Sequence, residues 1–231
     1  MHNLIPDAVP VIAIDGPSAS GKGTIAELVA AQLGFHYLDS GALYRIVALA
    51  AKQQNIDWDD AFAVAECAKT LSIEFKNSQV FLNGADISEA IRTEEMGKGA
   101  SRVAVHAPVR AVLVDLQHSF RTAPGLVADG RDMGTVIFPD AALKVFLTAA
   151  TEVRAQRRYQ QLINKKQTND DLKVSYDDIL QDLRERDARD QARASAPLIK
   201  ANDAILLETD HLDIAQAVAH VMQNYQLIRN F

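Results

Sequence analysis

Cysteine is nearly absent: Cys67 is the single one in 231 residues, which excludes an internal disulfide and agrees with a reducing compartment. With no histidine nearby in sequence, Cys67 reads as a small core residue rather than a nucleophile. Apolar runs fall far short of the ~20 residues that a membrane helix needs. The chain also does not begin with a basic segment followed by an apolar core. Neither a membrane span nor a secretory signal is therefore expected, and the expected location is the cytoplasm. The six histidines (2, 36, 106, 118, 211 and 220) form no H-E-x-x-H or other metal-ligand spacing, so no protein metal site is expected. Positive charge is in deficit, with 24 Lys and Arg against 30 Asp and Glu and a net charge of −6. A nucleic-acid binder would need a basic face, and that class is disfavoured. No repeat or low-complexity segment is present. The 48% hydrophobic and 23% charged residues are ordinary for a globular chain. The length suits one domain with a sizeable core.

Short apolar strands alternate with amphipathic helices, the pattern of a parallel sheet covered by helices. Strands are expected near 11–15, 35–38, 126–128, 143–147 and 204–207. Helices are expected near 22–33, 41–54, 58–70, 94–105, 108–120, 151–166, 176–193 and 213–228. Thr151, Ser175 and Asp213 suit helix caps. Residues 71–91 break the alternation: Leu71–Phe75 and Val80–Leu82 precede Asn83-Gly84, a strong hairpin signal. The fold class is thus α/β, with a five-stranded parallel sheet in a three-layer P-loop arrangement, a small antiparallel β insert and a helical lid. Within a single domain, the expected division is a core of 8–64, 94–150 and 194–231, an insert of about 65–93, and a lid of about 151–193.

The P-loop reading rests on residues 16–24, Gly16, Pro17, Ser18, Ala19, Ser20, Gly21, Lys22, Gly23 and Thr24, between the apolar run Val11–Asp15 and a helix bearing Ile25, Leu28, Val29 and Leu33. A buried strand delivers the chain to a turn whose N–H groups point inward, and the next helix adds its positive N-terminal dipole. Lys22 then lies on the β/γ-phosphates of a nucleotide. Gly23 occupies the place of the hydroxyl that ligates magnesium in the strict motif, with Thr24 following. The metal is therefore expected to be held mainly by phosphates and water.

Such a cradle fits ATPases, GTPases and kinases alike. In an open parallel sheet, ligands bind beyond the carboxyl ends of the strands. Three polar segments lie there: Gly16–Thr24, Asp39–Arg45 and Asp129–Thr135. Arg45 and Arg131 suit the grip of a second phosphate, the competing reading being an ion pair with a local aspartate such as Asp39 or Asp132. An acceptor that is itself a phosphate monoester is largely ionised near neutral pH, its second pKa being about 6, and needs no catalytic base. Positioning and charge neutralisation then suffice. Seven arginines (154, 157, 158, 184, 186, 189 and 193) lie in one stretch with many aspartates. Arg186, Asp190 and Arg193 share one helical face. Together with the polar connection Asn164–Asp171, these helices read as a flap over the transferring group or, alternatively, as a salt-bridged helical hairpin.

These segments resemble the bacterial cytidylate kinases of the nucleoside monophosphate kinase group. The resemblance is carried by Gly16–Thr24, Asp39–Arg45, Ile91-Arg92-Thr93, Ala128–Pro139 and Glu185–Asp190 with Arg193, and it spans nearly the whole chain. It implies transfer of the ATP γ-phosphoryl group to CMP or dCMP with Mg2+, by a monomer. It assigns Lys22, Arg131 and Arg186 to catalysis. Gly16–Thr24, Arg157 and Arg158 are assigned to ATP. Arg45, Arg131 and Arg186 are assigned to the acceptor phosphate, Asp190 to the ribose, and Ser101, Arg110, Asp132 and Arg193 to cytosine, with Ser40 beside that pocket. Competing readings are a kinase for another small acceptor, against which the insert and Asp129–Thr135 speak, and a nucleotide switch. A guanine-reading Asn-Lys-x-Asp sequence, expected of a switch, is missing.

Overall fold

The computed structural model describes residues 9–76, 79–166 and 175–229. The first eight residues and most of the polar connection between the two arginine-bearing helices lie outside them. The chain divides into two compact units, one of residues 1–38, 120–192 and 196–231 and the other of 39–119 and 193–195.

The first unit is built on a five-stranded sheet. Its strands are β1 (Val11–Asp15), β2 (His36–Asp39), β6 (Leu126–Gly130), β7 (Leu143–Thr148) and β8 (Ile205–Glu208), in the order β2-β6-β1-β7-β8. β1 is central and pairs in parallel with β6 and β7. It is buried along its whole length, and Val11, Ile12, Ala13 and Ile14 expose no surface. That explains why its sequence is a continuous apolar run rather than an alternation. Helices α1 (Lys22–Leu33) and α8 (Ile214–Arg229) pack Ile25, Val29, Val218, Val221 and Tyr225 onto Ile12, Ile14, Val127, Val145 and Leu147. At the start of α8, Asp213 accepts from Gln216 N while Gln216 Oε1 accepts from Asp213 N, so the cap expected at Asp213 is a reciprocal one. Two further helices, α6 (Thr151–Lys166) and α7 (Tyr176–Ala192), pack against each other. Ser175 Oγ accepts from Asp178 N at 3.5 Å, a long cap contact.

The second unit contains α2 (Ser40–Gln53), α3 (Ala61–Lys69), α4 (Glu94–Val103), α5 (Ala107–Ser119) and a three-stranded antiparallel sheet. That sheet comprises β3 (Ile73–Lys76), β4 (Gln79–Leu82) and β5 (Ala85–Asp86). Asn83 and Gly84 both adopt positive φ, 50° and 81°, and form the expected tight turn, which joins β4 to the short β5. α3 starts at Ala61, later than the expected 58, because Asp60 is the cap and accepts from Ala63 N at 2.9 Å. A five-residue π-helical turn, Met133–Ile137, replaces the loop expected after β6. Phe138 N donates to Met133 O and Ile137 N to Asp132 O, the wide i→i+5 pattern that recurs at functional sites.

Candidate active site

In the first unit the cradle leaves the carboxyl end of β1. Gly16 passes so close to β7 that a Cβ there would lie 2.0 Å from Leu147 O, which no side chain can accommodate. Ala19 and Gly21 both take left-handed φ, 58° and 89°, and turn successive amides inward. Gly21 also opens α1. The Lys22 side chain is buried and folds back along the loop, its Nζ donating to Pro17 O at 3.2 Å. Ser20 Oγ is buried with no hydrogen-bond partner among the described residues, an orphaned group in a ring of donors. A phosphate oxygen or a metal-bound water would satisfy it.

Arg131 ties this cradle to α7. Its Nε donates to Asp190 Oδ2 at 2.7 Å, one terminal nitrogen donates to Ser18 Oγ at 2.7 Å, and the other donates to Gly130 O. The pair is well shielded, with 18% of the Arg131 side chain and 3% of that of Asp190 exposed. Burial alone would lower the Arg131 pKa, but the charge and hydrogen bond of Asp190, with Asp129 and Asp15 behind it, raise it above its usual value. A buried ion pair contributes little net stability because both charges lose water. Its place against the phosphate cradle accords with a binding role. Arg131 thus pairs with Asp190, 59 positions along the chain, rather than with adjacent Asp132. Asp132 is itself buried.

The arginines of α6 are differently placed. Arg154, though grouped in sequence with its neighbours, is a buried strut: it donates to Ala149 O, Ser18 O and Thr151 Oγ1 and makes a forked pair with Asp187. Arg157 donates to the side chain and carbonyl of Thr209, just beyond β8. Arg158 donates to Gln161 on its own helix. Arg186 lies half-buried on α7.

Within the second unit, Asp39 caps α2 through Ala42 N, buried Ser40 begins the helix, and Arg45 sits 3.7 Å from Asp39. Both members of that pair are about a third exposed, so the contact is a loose surface one. Arg110 of α5 is buried, donates to Ala104 O and lies 5.6 Å over the Tyr44 ring. Ser101 of α4 is buried with a hydroxyl that has no partner among the described residues. Arg193 is buried as well.

Four partners escaped the sequence reading: Asp15, Tyr37, Thr209 and Asp187. Tyr37 OH donates to Asp129 Oδ1 at 2.7 Å. Thr209 follows a parallel strand, where the strand-end rule points to it. Asp15 is a carboxylate closing a wholly apolar strand directly before the cradle, a legible signal. Burial pushes its pKa up to about 6, against the opposing pull of the Gly134 and Met133 amides. Because the folded value exceeds the unfolded 3.8, the folded state takes up a proton between the two. This contribution is fully present below the unfolded value and is lost as pH rises through about 6. The stability of the wild type minus that of Asp15→Asn is expected to fall by on the order of 2 kcal/mol from pH 4 to pH 7.5. Urea unfolding at stepped pH measures it, and a constant difference would contradict the shift.

A parallel sheet whose central strand enters a lysine-bearing backbone cradle, with a shielded arginine on that cradle, defines a P-loop protein. The family model described as cytidylate kinase matches residues 12–227. A cytidylate kinase of Paraburkholderia phymatum is 59% identical over 95% of this chain and 94% of its own length. One of Polynucleobacter asymbioticus is 58% identical, covering 95% and 97%. One of Cupriavidus necator is 55% identical, covering 96% and 97%. The chain belongs to the cytidylate kinase family.

Proposed function

We propose that this protein transfers the γ-phosphoryl group of ATP to CMP or dCMP, giving ADP and CDP or dCDP. The observation that carries this reading is Arg131, whose guanidinium bridges cradle Ser18 and buried Asp190. Five N–H donors are available to an arginine, and three are used here. The remaining two, with Lys22, suit the oxygens of a phosphoryl group in transit. Lys22 and the inward amides of Gly16–Thr24 hold the donor phosphates, while Arg45, Arg131 and Arg186 neutralise the acceptor phosphate. Its ionised oxygen attacks the γ-phosphorus in line, ADP leaves, and no side chain takes a proton. We read Mg2+ as part of the nucleotide substrate, held by phosphate oxygens and water, with the Ser20 hydroxyl facing that shell. We assign Arg157 and Arg158 to the ATP side, the lid to about 151–193 and the monophosphate-binding insert to about 65–93. A reducing, cytoplasmic setting agrees with the single cysteine.

Cytosine selection follows from complementarity. Its amino group needs an acceptor, for which Asp132 and Ser101 serve, and its N3 and O2 need donors, for which Arg110 and Arg193 serve. In UMP an O4 acceptor would meet the Asp132 carboxylate, a mismatch of several kcal/mol. ADP release from ATP with CMP, dCMP, UMP, AMP and GMP is expected to show CMP or dCMP preferred by at least ~10³-fold over UMP. Asp132→Ala narrows that ratio mainly by damaging CMP use, with the KM for ATP little changed. Equal losses with CMP and UMP would return Asp132 to a purely structural role, and preference for a different monophosphate would overturn the substrate assignment.

A further inference from the structure

Asp15 ends β1 immediately before Gly16, and the register of the sheet sets it beside Gly130 of β6 and Phe146 of β7. Only 5% of the residue is exposed. Its carboxylate accepts from two consecutive amides, Met133 N on Oδ1 and Gly134 N on Oδ2, both at 2.8 Å. These amides directly follow Arg131 and Asp132. The Lys144 stem lies beside the same glycine: a Cβ on Gly134 would come 3.1 Å from Lys144 Cδ and 3.5 Å from Asp15 Oδ2. Lys144 is itself held by Asp203. The first π-helical residues are therefore held by a carboxylate on their amides, with an aliphatic stem packed close to Gly134.

We propose that Asp15 is a positioning residue, whose carboxylate holds the Met133–Gly134 amides and so sets the Arg131–Asp132 segment relative to the phosphate cradle. A single side chain thereby couples the two halves of the reaction within this unit: its backbone leads into the nucleotide loop, and its oxygens orient the segment that meets the acceptor. The carboxylate suits the task because it is acceptor-only, and one group satisfies two parallel N–H donors. An amide offers one oxygen and turns an N–H toward the second donor. An aliphatic side chain, though it would suit an apolar strand end, would leave both amides buried and unpaired. The charged groups facing Asp15 are Asp132 and Arg131 on the held segment, while the ammonium of nearby Lys144 is held by Asp203. The kinetic part of the test rests on the CMP or dCMP reading, whereas the exchange part does not.

Amide hydrogen exchange of the full-length protein reads the grip directly. Asp15→Asn is expected to speed exchange at Met133 or Gly134 by about tenfold and Asp15→Ala at both by about a hundredfold, with the amides of β1 and α1 unchanged. Unchanged exchange at these two amides in the variants overturns the proposal whatever the substrate. In kinetics, Asp15→Asn is expected to raise the KM for CMP at least tenfold and to lower kcat, with the KM for ATP within about twofold. Gly134→Ala, whose methyl crowds the Lys144 stem and the Asp15 carboxylate, is expected to give the same split should Asp15→Ala fail to fold. Equal damage to both substrates would identify Asp15 as a general structural residue and overturn the proposal. A wild type inactive on every cytidine monophosphate would remove the substrate reading while the exchange result still decides the role of Asp15.

Discussion

Lys22→Met is expected to reduce kcat by on the order of 10³-fold while the melting temperature stays within a few degrees of the wild type. Met keeps the length and apolar stem of lysine and removes the charge and its hydrogen bonding. Among the contacts of Lys22 is a 3.2 Å hydrogen bond to Pro17 O, a carbonyl of the same loop. What is lost is a fixed positive charge in a shielded cradle, where charge acts on a developing phosphoryl group far more strongly than in water. Preorganised donors of this kind are worth about 10²–10³ each. Coupled ADP release at saturating ATP and CMP, beside thermal melts of both proteins, provides the measurement. A variant with near-normal kcat would take Lys22 out of the chemistry. A variant with a collapsed melting temperature would instead make the lysine part of the loop's architecture.

Arg131→Met should damage stability and activity together, and the two losses can be separated. Removing the guanidinium takes from the Asp190 carboxylate, with 3% of its side chain exposed, an ion-pair partner at 2.7 Å, and leaves Ser18 Oγ without this donor. Breaking one side of a buried pair costs about 3–5 kcal/mol. Turnover with CMP is expected to fall by about 10³-fold or more, as for other arginines that meet a transferring phosphoryl group. In the double variant Arg131→Met with Asp190→Leu both members of the pair are removed together. Most of the stability should return and none of the activity. Urea unfolding and steady-state kinetics on the three variants test this. Recovery of turnover in the double variant would show that Arg131 serves only to neutralise Asp190.

Elements whose formation depends on neighbouring residues were legible in the chain itself. β1 and α1 begin and end where the apolar run, the glycine loop and the 3.6-residue spacing of Ile25 and Val29 place them. The Asn83-Gly84 turn follows from the few residues that tolerate positive φ. The cradle is local too, since its amides, its lysine and its helix dipole all come from nine consecutive residues. The functional set proposed here, from Ser40 to Arg193, is carried by motifs with enough distinct residues to be recognised as a resemblance.

Which charge meets which was decided elsewhere. Arg131 has an aspartate as its next neighbour, yet the strand end turns it to Asp190 and Ser18, 59 and 113 positions away. Arg154 and Arg157, one helical turn apart and alike in sequence, diverge into a buried strut on Asp187 and a contact with Thr209. Asp15 looks like an ordinary strand-end carboxylate until the register of β1 with β6 brings the Met133 and Gly134 amides to it. Spacing and propensity specify the backbone over a few residues. The partners of a long polar side chain depend on strand order and on which groups are shut away from water together, and only the folded chain determines those.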